Sequence, residues 1–288
     1  MPPLGAFTLL ILREERFSAI FGARRFFRMG TGIIQRAMTN VSPCQIKTEL
    51  EADRIVEPSA DQELVSKAGE VYDRLYAKYG DPDVPIHPPL DELVNTVLSQ
   101  NTNDRNRDIA FANLTARFPS FEAIRDADTD TVIACIRPAG LANQKGPRIQ
   151  AILKAITAER GTLDLSFLRE MKPIEARNWL TRFNGVGLKT ASIVMAFSVG
   201  MPAFPVDTHI YRVSGRLGLR PERMSVEAAH DHLASLFDPG VYRAAHVNLI
   251  YHGRETCGAR KPACGACILK DLCDAFRDGR VGSARQWG

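Results

Sequence analysis

Arg182-Phe183-Asn184-Gly185-Val186-Gly187-Leu188-Lys189-Thr190-Ala191 joins two segments of helical periodicity, 173–182 and 188–199. Gly185 and Gly187 permit positive φ and close approach of backbone. The second helix begins directly after them, so its unpaired N–H groups point into the turn. Such a helix end is a ready anion site, and a DNA phosphate fits it. An ordinary C-cap glycine followed by a turn would use the same residues, so glycine spacing alone does not separate the two readings. Lys189 sits in the first turn of the second helix, where the positive end of the macrodipole disfavours an ammonium. Most lysines are solvated surface charges. This placement is electrostatically awkward, which is the pattern of an activated amine nucleophile.

Eighteen residues further on, Pro205-Val206-Asp207-Thr208-His209-Ile210 opens another helix. Asp207 is well placed as its N-cap. A capping carboxylate at a cleft is held rigidly and stays ionised, so it can also stabilise positive charge developing on a sugar. His209 reads as a packed or polar helix residue.

Helical spacing extends outward from this centre. Leu64, Ala68, Val71, Leu75 and Tyr79 share one face, and Gly80-Asp81-Pro82 stops the pattern. Leu93, Val94, Val97 and Leu98 mark a second helix after the Pro-rich segment 82–89. Further amphipathic stretches cover about 104–117, 129–136, 146–159, 208–217, 225–236 and 240–251. Pro173 suits a first-turn position and Ser225 a cap. Nothing alternates with period two. The expected class is all-α.

Bulk properties exclude little. The 288 residues are enough for a sizeable core, and a net charge of +4 permits an anionic partner without demanding one. No apolar run is long enough to cross a membrane, and Leu4–Leu12 lacks the flanks of a signal peptide. Residues 1–61 are expected to be a disordered extension or the product of an upstream start codon, with Met29 or Met38 as the true beginning. Their arginine and phenylalanine content leaves an organellar presequence open.

Four of the six cysteines, Cys257, Cys264, Cys267 and Cys273, form the pattern C-x6-C-x2-C-x5-C. Four thiolates hold either a [4Fe–4S] cluster or a zinc ion, and spacing alone leaves the metal open. Cys44 and Cys135 read as spare or buried thiols. Arg260 and Lys261 lie between the first two ligands, on a loop suited to phosphate contacts.

Taken together, these motifs resemble the helix–hairpin–helix DNA glycosylase superfamily, and within it the endonuclease III family, over roughly residues 62–275. The family hairpin reads Leu-Pro-Gly-Val-Gly-x-Lys-Thr-Ala, followed by Val-Asp-Thr-His; here Phe183-Asn184 stands in place of Leu-Pro. The resemblance implies that the cysteines carry [4Fe–4S]. It also implies that Lys189 attacks the sugar of a flipped, damaged nucleotide while Asp207 assists departure of the base. Gly185, Val186 and Gly187 would offer backbone to the DNA. Leu98-Ser99-Gln100-Asn101-Thr102 resembles the loop whose polar side chain enters the duplex. Asn101 stands where the family has glutamine, with Gln100 the wedge in the adjacent register. Gly140-Leu141-Ala142-Asn143-Gln144-Lys145 resembles the second wedge loop, with Leu141 as its apolar plug.

The expected activity is removal of oxidised pyrimidines with abasic-site lyase activity, by a cytoplasmic, nucleoid-associated monomer acting on double-stranded DNA. A mismatch-directed thymine or uracil glycosylase is the alternative within the superfamily, and a non-catalytic DNA-binding module the alternative outside enzymes. The expected architecture is two-lobed: residues 82–201 form a six-helix lobe, residues 62–81 with 202–276 form the cluster lobe, and 277–288 form a tail.

Overall fold

The computed structural model describes residues 60–282, so the expectations for residues 1–59, Cys44 included, and for the end of the tail lie outside the described residues. Every regular element among the described residues is helical, and no strand occurs among them. The chain is all-α.

Helix α1 (Ala60–Tyr79) forms where the first apolar stripe lies: Ala68, Val71 and Leu75 are fully buried, one turn apart. Asp61 and Glu63 in its first turn and Lys78 in its last complement the macrodipole. It stops at Gly80, whose φ of +73° no β-carbon opposes. Helix α2 (Pro89–Ser99) starts with proline at N1 and buries Leu93, Val94, Val97 and Leu98. Helices α3 (Asp104–Arg117), α4 (Phe121–Asp126) and α5 (Thr129–Ile136) follow, capped by the side chains of Asn103, Ser120 and Asp128. Then come α6 (Ala142–Arg160), α7 (Pro173–Thr181) and α8 (Leu188–Ile193), the last continuing as a π-helical segment, Val194–Val199. Helices α9 (Thr208–Leu217), α10 (Val226–Leu236), α11 (Tyr242–Glu255) and the short α12 (Asp274–Arg277) complete the order.

Two hydrophobic clusters hold these elements. One gathers residues from α2 to the π segment, with Leu93, Leu114, Leu153, Leu180 and Val194 inside it. The other joins Val71 and Leu75 of α1 to Phe204, Ile210, Val213, Leu233, Leu249 and Leu269. The chain crosses from the first cluster to the second at about residues 201–204. Lys189 therefore lies on the last helix before the crossing and Asp207 at the first helix after it.

Three features differ from expectation. Helix α6 begins at Ala142 rather than near 146, because Leu141 adopts a left-handed conformation and the helix starts at once. Gly146-Pro147 has the look of a helix start, yet Pro147 lies inside the helix. The expected second wedge loop thus shrinks to Gly140 and Leu141. Helix α4 went unread because it is a six-residue piece. The stretch 188–199 is one helical rod, but its second half is π-helical, an irregularity with no signature in periodicity.

Candidate active site

The hairpin is built on an aromatic stack. Trp179 near the end of α7 meets Phe183 edge-on with ring centroids 4.8 Å apart, and Phe167 on its other side at 5.0 Å. Trp179 Nε1 donates to Glu159 at 2.8 Å, and Glu159 also pairs with Arg182. Phe183, in place of the family's leucine, is thus the inward anchor of the turn. Val186 is buried and its N–H donates to the Phe183 carbonyl at 3.0 Å, so neither its side chain nor its backbone donor is free for a phosphate, a correction to its expected DNA contact.

The two glycines do different jobs. Gly185 has φ +84°, and a Cβ there would lie 2.2 Å from Arg148 Nε. Gly187 has φ −87° and ψ 179°, a conformation open to any residue, and a Cβ there would meet nothing within 4 Å. The expectation that both use glycine's freedom is therefore half corrected: Gly187 leaves space rather than enabling a turn. It is the N-cap of α8 and supplies no capping side chain.

Lys189 projects from the first turn of α8 into solvent. Asp207, half-buried, caps α9 by accepting from the Ile210 N–H at 2.8 Å. A buried histidine close to the Pro205 carbonyl was missed by sequence reading. His246 of α11 is buried, its Nδ1 lies 2.9 Å from the Pro205 carbonyl, and its ring packs edge-on against Phe197 at 5.4 Å. Burial pushes the imidazole down to about 4; the Asp207 charge opposes that shift and the Lys189 charge adds to it. A second carboxylate, Asp104, accepts from Arg254 at 2.8 Å. Burial alone would raise its carboxyl, but Arg254, Arg107 and Lys189 hold it below the ordinary range. His209 contacts Arg212 at 3.1 Å and packs beside Gly253, as a helix residue should.

Among the described residues only Asn101 (φ 52°) and Leu141 (φ 50°) are non-glycine residues in the left-handed region. They are the two candidate wedge residues. Both are exposed, Leu141 to 47% despite its apolar side chain. Backbone strain of this kind persists only where the surroundings enforce it, and it gathers at functional loops. The enforcing groups are Lys145, almost wholly buried, which donates to the carbonyls of Leu98 (2.7 Å) and Ala139 (2.8 Å), and Gln100, which donates to the Gly185 carbonyl at 2.9 Å.

Cys257, Cys264, Cys267 and Cys273 line one apolar cavity together with Val213, Leu217 and Phe276. Among the described residues no three His, Cys, Asp or Glu side chains are placed to hold a single metal ion. Four thiols lining one cavity could hold a polynuclear cluster or a zinc ion. Burial, then mutual repulsion, raises the thiols of Cys267 and Cys273, a cost relieved when a cationic cluster takes the place of the protons. N–H donors for the sulfurs are present: Arg216 Nη1 lies 3.3 Å from Cys257 Sγ and the Leu269 N–H 3.4 Å from Cys267 Sγ. Arg216 also donates to the carbonyls of Gly258 (2.7 Å) and Ala259 (2.8 Å), fixing the loop on which Arg260 and Lys261 stand exposed. Cys135 is half-buried against the first cluster and remains a packing residue.

Comparison with known proteins agrees with this geometry. Residues 94–239 match the model of the HhH-GPD superfamily base excision DNA repair proteins, and residues 257–273 that of the iron–sulfur binding domain of endonuclease III. Endonuclease III of Sulfolobus acidocaldarius is 34% identical over 188 residues, which cover 65% of this chain and 82% of that protein. A putative DNA glycosylase of Arabidopsis thaliana is 39% identical over 144 residues, covering 50% of this chain and 49% of that protein. A structure of a trapped endonuclease III–DNA covalent intermediate superposes with a TM-score of 0.64 at 25% identity, covering 75% of this chain and 98% of that one. The matched cysteine segment makes the cofactor a [4Fe–4S] cluster. With hairpin, cap and cysteines in the family's order on the family's all-helical fold, the chain belongs to the endonuclease III branch of the HhH-GPD superfamily of base excision DNA repair proteins.

Proposed function

We propose that this protein is a bifunctional DNA glycosylase and abasic-site lyase that removes oxidised pyrimidines from duplex DNA, with Lys189 as nucleophile and Asp207 as its charged partner. The observation that carries the reading is the placement of an exposed amine in the first turn of α8, the last helix before the chain crosses between the two hydrophobic clusters, and of a capping carboxylate at the first helix after the crossing. The covalent DNA intermediate trapped in the related endonuclease III supports a covalent route.

The steps follow from the groups present. A nucleotide swings out of the stack so that its C1′ becomes accessible. The Lys189 nitrogen forms a bond to C1′ through its lone pair as the C1′–N glycosidic bond breaks; the nitrogen gives up a proton, and the base leaves with the electron pair and takes up a proton. Asp207 offsets the positive charge that builds on the sugar. Opening of the sugar ring gives an iminium, a Schiff base between Lys189 and C1′. Loss of a C2′ proton then expels the 3′ phosphate by β-elimination, and water hydrolyses the imine to free the lysine. Asn101 and Leu141 fill the vacated space, and the hairpin backbone at Gly185 and Gly187 holds a phosphate.

Cys257, Cys264, Cys267 and Cys273 would hold the cluster, which when bound cross-links residues 257–273 and fixes the basic loop carrying Arg260 and Lys261. In this reading the two hydrophobic clusters mark two lobes, 82–201 and 62–81 with 202–276, and DNA lies across the cleft between them. A monomer suffices for this, and the compartment is the cytoplasm, at the nucleoid; no described helix is long and apolar enough to cross a membrane.

The test is a panel of duplexes, each with one lesion: oxidised pyrimidines, G·T, G·U and an abasic site. Wild type should cleave the oxidised pyrimidines fastest and Lys189→Gln should cleave none. Preference for G·T or G·U would favour the mismatch alternative, and equal product from both proteins would remove Lys189 as nucleophile.

A further inference from the structure

Gln100 is committed to the protein rather than to solvent. Its Nε2 donates to the Gly185 carbonyl at 2.9 Å, and its Oε1 accepts from Arg148 Nη1 at 3.0 Å. The Arg148 side chain in turn crosses Gly185 so closely that a Cβ there would lie 2.2 Å away. One amide thus ties the end of α2 to α6 and to the hairpin. One turn before Arg148 on α6, Lys145 is buried and grips the carbonyls of Leu98 and Ala139, just before each wedge residue. Asn101 is the opposite case. It is exposed, left-handed at φ 52°, and its side chain makes no hydrogen bond to another described residue. For Gln100 to enter a duplex it would have to abandon both bonds and leave a guanidinium and a carbonyl unpaired, which is costly where they are partly buried.

We infer that Gln100 is a positioning residue: through Arg148 and the Gly185 carbonyl it locks the wedge residue Asn101 to the hairpin, so that insertion into the stack and the grip on the phosphate backbone become one event. The inference rests on the DNA-repair reading above, but it concerns binding geometry and not the covalent chemistry. It follows that Gln100 and Arg148 are coupled, since Arg148 reaches the wedge loop by way of Gln100. Residues acting through one another show non-additive effects.

The experiment uses the full chain with its cluster and a duplex carrying a tetrahydrofuran abasic analogue opposite 2-aminopurine, whose fluorescence rises on unstacking. The analogue has no bond for Lys189 to break, so the signal reports wedge insertion alone. Wild type should give a rise and Asn101→Ala should abolish it. Gln100→Ala and Arg148→Ala should each lower it by about threefold or more, and the double variant should be no worse than either. Gln100→Glu, which keeps the acceptor for Arg148 but loses the donor to Gly185, should fall between and carries the test if Gln100→Ala does not fold. Additive losses in the double variant would overturn the inference. So would a full rise in Asn101→Ala combined with none in Gln100→Ala, because Gln100 would then be the wedge. Lys189→Gln should leave the fluorescence rise intact. Should that variant still cleave lesions, the catalytic reading fails while the positioning role stands.

Discussion

Asp207 carries two loads that substitution can separate. Asparagine caps helices about as well as aspartate, whereas alanine does not. Asp207→Asn should therefore unfold at nearly the wild-type denaturant midpoint while base excision falls on the order of 10²-fold, the usual loss when a charge aimed at a transition state is removed. Asp207→Ala should lose the same activity and about 1 kcal/mol of stability. Urea melts and single-turnover excision on one lesion duplex check both. His246 makes a prediction in pH. Its folded value, about 4, lies below the 6.5 of an unperturbed imidazole. The unfolded chain therefore binds the proton first as pH falls, and stability is lost progressively between about pH 6.5 and 4. Urea midpoints from pH 7.5 to 5 should drop for wild type and drop less for His246→Asn; equal slopes would contradict a buried neutral ring. The first-turn position of Lys189 and the capping position of Asp207 were legible in the sequence because each sits beside its own local signal, a glycine turn and a cap. His246 and Lys145 were not. Their partners, Pro205, Leu98 and Ala139, are brought to them by tertiary packing, and no local pattern encodes that.

At the scale of elements, the hairpin and the second wedge turn on backbone geometry. Gly185→Ala must adopt a left-handed conformation and displace Arg148, so it should cost roughly 1–3 kcal/mol and weaken DNA binding as well. Gly187→Ala meets no obstacle in the folded chain, so its melting curve should match wild type. If a phosphate approaches that backbone, its affinity for abasic-site DNA should still fall. Unchanged affinity in Gly187→Ala would argue against the anion site at the start of α8. Leu141→Gly removes a strained non-glycine residue at φ 50° and should leave stability within about 0.5 kcal/mol, the relief of strain offsetting the added chain freedom, while wedge insertion is lost. Helices long enough to show an apolar stripe were read correctly in kind. Several ends were read correctly too, at 104–117, 129–136 and 208–217, but the start of α6 was not, because a left-handed Leu141 and an interior Pro147 break the usual start signals.

Across the whole molecule, the candidate site residues Lys189 and Asp207 flank the passage of the chain from one hydrophobic cluster to the other between α8 and α9. Periodicity predicts the faces of these helices but not that α1 packs against α10 and α11. That pairing spans most of the described chain and depends on loop closure rather than local pattern. The iron–sulfur ligands were legible for the opposite reason, since all four fall within residues 257–273. Arg260 and Lys261 stand exposed on the loop that Arg216 holds. Each phosphate contact contributes about one unit to the slope of log affinity against log salt. Arg260→Ala/Lys261→Ala should lower the slope by about two and weaken binding alike for damaged and undamaged duplexes. An unchanged slope would return that loop to a solvated surface.

The nucleophile is tested most directly by borohydride reduction in the presence of abasic-site DNA, followed by peptide mapping of the adduct. Wild type should yield one covalent protein–DNA species, with the sugar remnant on Lys189, and Lys189→Gln should yield none. An adduct on any other residue, or equal trapping by Lys189→Gln, would contradict a Schiff base at the first turn of α8.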